Sequence, residues 1–99
     1  MKTEISTNTL AKAGWNHSAS DWYFYSQTWG SDTHIHLGGS SHNGALQIEF
    51  ISLKVKDKFA GRIYGDLEGT NWGLLEDPHR IPYDVAIEFR EALNGVGIV

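Results

Sequence analysis

The chain has 99 residues, a formal net charge of -4 and no cysteine, with 40% hydrophobic and 12% aromatic content. That length supports one modest core, and the aromatic content is that of a folding chain. The absence of cysteine excludes disulfides, zinc–thiolate sites, iron–sulfur ligation and thiol catalysis, and the acidic balance argues against non-specific nucleic-acid binding.

A domain this small without covalent staples suits a reducing compartment, so a cytoplasmic location is expected. No run reaches the roughly 20 apolar residues of a membrane-spanning helix, and the first residues carry no apolar core of a signal peptide. The whole of 1–99 reads as one domain, with 1–7 polar and loose.

In chain order, Asn8 or Thr9 can cap a short helix over Leu10–Ala13, stopped by Gly14. Residues 16–21 read as a loop. Trp22 to Trp29 is rich in aromatic residues and predicts a strand, with Trp22 and Phe24 inward and Tyr23 and Tyr25 on the other face. Thr33 to Leu37 predicts a second strand, with Ile35 and Leu37 inward and His34 and His36 outward. Gly38 to Gly44 reads as a flexible loop.

The central run is Leu46 to Val55. Leu46, Ile48 and Phe50 share one parity; Ile51, Leu53 and Val55 carry the apolar pattern on the other. Side chains alternate faces along a strand, so this slip predicts a β-bulge near Phe50–Ile51 that keeps both halves on one core. A tight turn at Asp57–Lys58 and a returning strand over Phe59–Tyr64 complete a hairpin. Its outer face would carry Lys54, Lys56 and Arg62, with Lys58 at the turn, whereas residues 66–91 are predominantly acidic.

Pro82 suits the first position of a C-terminal helix, where Asp84 and Glu88 favour the positive end of the helix dipole. Val85, Ala86, Phe89, Ala92 and Leu93 form its inward stripe. Gly95 is the expected stop, followed by a short edge strand over 96–99. The expected fold is α+β: an antiparallel meander of about four strands packed against one C-terminal helix, with a short N-terminal helix.

No phosphate-binding loop, nucleophile elbow, His-Glu-x-x-His helix or dinucleotide fingerprint occurs. The expectation is therefore a protein that is not an enzyme, needs no cofactor and acts by occupying a protein partner. Inhibitors, immunity proteins and phage-encoded antagonists of host or defence complexes are of this kind. Aromatic side chains anchor protein interfaces, so the expected contact surface joins Tyr23 and Tyr25 to an acidic stretch with Asp66, Glu68, Trp72, Glu76 and Asp77. Tyr83, Ile87, Arg90 and Glu91, on the outer helix face, form a second surface suited to a homodimer. Two alternatives come from other chemistry. His34 and His36, with His42, His17 or His79 as a third imidazole, have the ligand type of a metal site. The aromatic strand could also stack on a glycan or another small ligand.

Overall fold

The computed structural model describes residues 4–64 and 81–98. It is α+β, in the chain order β1 (Glu4–Ser6), α1 (Thr7–Lys12), β2 (Asn16–Ser18), β3 (Asp21–Ser26), β4 (Gly30–His42), β5 (Ala45–Val55), β6 (Lys58–Tyr64) and α2 (Tyr83–Gly95). All strand pairs are antiparallel. Strands β2 to β6 follow one another as a meander, and the path across the sheet is β1-β5-β4-β3-β2. Because β4 runs along one side of β5, β1 and β6 share the other side, end to end: β1 against residues 45–47 and β6 against residues 50–55.

Among the described residues six strands stand where four were expected, for identifiable reasons. The residues from Glu4 onward, expected to be loose, are held as β1 by pairing with the start of β5. Residues 16–18, expected in a loop, pair with β3. The glycine- and serine-rich stretch after Leu37 continues β4 as far as His42. The turn there is Asn43–Gly44, with φ of 51° and 76°, the two-residue form whose twist matches that of paired strands. At its other end β5 turns through Lys56–Asp57, one residue earlier than expected, with φ of 53° and 63°. Left-handed backbone is costly for such residues. It is held by the Lys56 amide donating to Thr33 Oγ1 at 3.0 Å and the Asp57 amide donating to the Asp32 carbonyl at 2.7 Å.

The expected bulge is present. Gly38 pairs with Phe50 and Gly39 with Ile48, leaving Glu49 as the extra residue. Leu46 and Ile48 before it, and Ile51, Leu53 and Val55 after it, are all buried in one core. Phe50 is corrected by this placement: the slip comes before it, and its ring lies across Gly38 rather than beside Ile48.

Helix α2 covers the inner face with Val85, Phe89 and Leu93, all fully buried, each contributing roughly 1.5–3 kcal/mol. Pro82 is its N-cap rather than its first residue, and Ser6 rather than Asn8 or Thr9 precedes α1. Both helices end alike. In α1 the amides of Trp15 and Gly14 donate to the carbonyls of Leu10 and Ala11; in α2 those of Ile98 and Gly97 donate to Leu93 and Asn94. These are Schellman ends, with a left-handed glycine and an apolar residue folded back onto the last turn. Gly97 therefore stops α2, Gly95 is helical, and Val96 and Ile98 are buried in this motif instead of forming an edge strand. Among the described residues no helix is long and apolar enough to cross a membrane.

Candidate functional site

Trp22, Phe24 and Ser26 of β3 face the core, as do Thr33, Ile35 and Leu37 of β4. Strand alternation then puts Tyr23 and Tyr25, and His34 and His36, on the opposite face. The register decides that they meet: Tyr23 pairs with His36 and Tyr25 with His34. Tyr23 stacks on His36 with centroids 4.5 Å apart and planes 11° from parallel. Tyr23 and Tyr25 are 6.2 Å apart and 8° from parallel. His34 stands edge-on to both tyrosines, 5.5 Å from each. Phe50 extends the group, edge-on to His36 at 5.6 Å. All five rings are half-buried, more enclosed than freely exposed tyrosines would be.

Polar groups border these rings. The Asp21 carboxylate lies 2.9 Å from His36 Nε2. Nε2 nevertheless makes no hydrogen bond, so the contact is one of proximity. On the other side His36 Nδ1 lies 3.4 Å from Ser52 Oγ. Acid, histidine and serine thus follow in the order of a hydrolytic relay. Ser52, however, is only 4% exposed and sits inside the β4–β5–β6 ladder, where neighbouring amides are engaged and offer no oxyanion site. Burial, and then Asp21 and Tyr25, push the Tyr23 hydroxyl above its usual range. Burial holds the His34 imidazole below the usual histidine range; Lys54 and His36 act in the same direction, against the Ser31 carbonyl and Asp57.

The structure describes only part of the expected contact surface. Tyr23 and Tyr25 are together on this face. Asp66, Glu68, Trp72, Glu76 and Asp77 lie outside the described residues, as does His79. Tyr83, Ile87, Arg90 and Glu91 are exposed on α2, Tyr83 at 82% and Ile87 at 39%. His42 is six residues along β4 from His36, roughly 20 Å at strand rise, so it cannot share an ion with the other two. No group of three His, Cys, Asp or Glu is placed to hold a metal among the described residues. Lys54 is exposed beside His34, but Lys56 belongs to the turn, its Nζ 5.1 Å over the Trp29 ring.

The sequence reading missed that the histidines and Phe50 belong to the tyrosine surface. Parity alone could have put the four β3–β4 side chains on one face; Phe50 needed the position of the bulge. It also read Asp84 and Glu88 only as helix-dipole partners. They bind the β3–β4 turn: Trp29 Nε1 donates to Asp84 at 2.8 Å, and Ser26 Oγ and the Gln27 amide donate to Glu88 at 2.5 and 2.7 Å. Comparison with protein-family models, with curated proteins and with solved structures finds no match.

Proposed function

We propose that this protein is a small binding module that acts by occupying a protein partner, and that the outer face of β3 and β4 makes the contact. The supporting observation is the near-parallel series Tyr25, Tyr23, His36 on the face turned away from the core. Rings already packed against one another lose little freedom on binding, and their polar edges give hydrogen bonds with direction. Tyrosine is enriched at interfaces for these reasons. Inhibitors, immunity proteins and phage-encoded antagonists use small rigid surfaces in this way, and the reading extends to them as a class.

The test is capture of the partner from host lysate by affinity pull-down, followed by titration with Tyr25→Ala. The variant is expected to weaken the complex by about 1–2 kcal/mol, the loss typical of an aromatic interface residue, with an unchanged circular dichroism spectrum. A Tyr25→Ala complex of full affinity would retire this face as the contact surface.

A further inference from the structure

His34 occupies an unusual place on the outer face. Its ring is wedged edge-on against two tyrosines at once, 71° to Tyr23 and 69° to Tyr25. Its Nδ1 lies 3.4 Å from the Ser31 carbonyl. In register it stands between Tyr25 of β3 and Lys54 of β5. Among the described residues, the titratable and charged groups around it are Tyr23 and Tyr25 on β3, His36 on its own strand, Lys54 on β5 and Asp57 in the β5–β6 turn, with Asp21 lying against His36; Arg62 of β6 is the register partner of Ser52. A proton added to His34 would thus put a cation in a half-buried position between Lys54 and His36, with Asp57 and one carbonyl to offset it. Rotation of the ring out into water relieves that cost.

We propose that His34 is a proton-operated latch on this face: neutral, it wedges Tyr23 and Tyr25 side by side, and protonated, it swings out and releases them. Its use as a control on binding rests on the reading of this face as a contact surface, but the latch itself is a property of the free protein. The direction follows from linkage. Because folding favours the neutral imidazole, His34's contribution to the closed arrangement is complete above about pH 6.5, the ordinary histidine value, and is lost as pH falls through its own lower value.

The experiment is aromatic NMR of the intact free protein, titrated from about pH 8 to about pH 4.5, a range that spans histidine protonation. Nuclear Overhauser contacts between the His34 ring and the rings of Tyr23 and Tyr25 should be present at the top of the range and vanish with the midpoint of His34 itself. In His34→Phe, which keeps an uncharged ring, the tyrosine resonances should stay flat across that midpoint; in His36→Gln they should still move. Contacts that persist below the His34 midpoint, or an unchanged tyrosine response in His34→Phe, would overturn the latch. Should His34→Phe not fold, His34→Gln carries the same comparison. The Tyr25→Ala affinity is measured at one pH, so the latch can fail while the binding surface stands, and the converse.

Discussion

Gly39 marks where β4 and β5 come closest. A Cβ there would sit 1.8 Å from the Gln47 carbonyl oxygen, a main-chain atom fixed by the bulge. Its neighbour Gly38 is also filled, but by the Phe50 ring, with the nearest ring atom 2.3 Å from where a Cβ would lie. Rings can turn and strands in a ladder cannot. Gly39→Ala should therefore cost at least the 1–3 kcal/mol or so of an overpacked core, read by urea denaturation. Gly38→Ala should cost less and act mainly by displacing Phe50 on the outer face. Equal losses for the two variants would show that the bulge backbone yields as readily as a side chain.

At the scale of elements, α2 is held by more than its apolar stripe. Glu88 accepts from Ser26 Oγ and the Gln27 amide, and Asp84, one turn earlier, accepts from Trp29. Ser26 Oγ in turn accepts from the Trp29 amide at 2.8 Å, so one carboxylate organises the turn that sets the β3–β4 register. That register brings Tyr23 to His36 and Tyr25 to His34. Glu88→Ala leaves these donors unpaired, at a cost of about 1–3 kcal/mol. In a domain of this size each kcal/mol lowers Tm by roughly 4–8 °C. The same variant should broaden the Tyr25 and His34 ring resonances by loosening their register; sharp, unshifted resonances would mean that the strands hold it alone.

For the whole molecule, the topology joins distant parts of the chain. Strand β1 pairs with β5, and Glu88 bonds Ser26 across 62 residues. Such pairing is entropically expensive to close, so refolding on the millisecond-to-second scale of sheet-rich domains is expected in stopped-flow tryptophan fluorescence. Microsecond refolding would mean that local helix and hairpin contacts suffice for the transition state.

The sequence by itself determined the α+β class, the central strand with its bulge, the inward stripe of α2 and the outward parity of both tyrosines and both histidines. All of these are local: alternation and helical periodicity are written in neighbouring residues. The Asn43–Gly44 turn was not read, because the glycines and serines before it made the whole of 38–44 resemble a loop. Only the tertiary structure decided that Gly38 and Gly39 belong to a strand, because their small size answers to Phe50 and Gln47 across the ladder. It alone turned Asp84 and Glu88 from helix-end charges into ligands of a distant turn, and two separate ring pairs into one surface. Those facts depend on register between strands and on a helix some sixty residues away, and no window of neighbouring residues contains either.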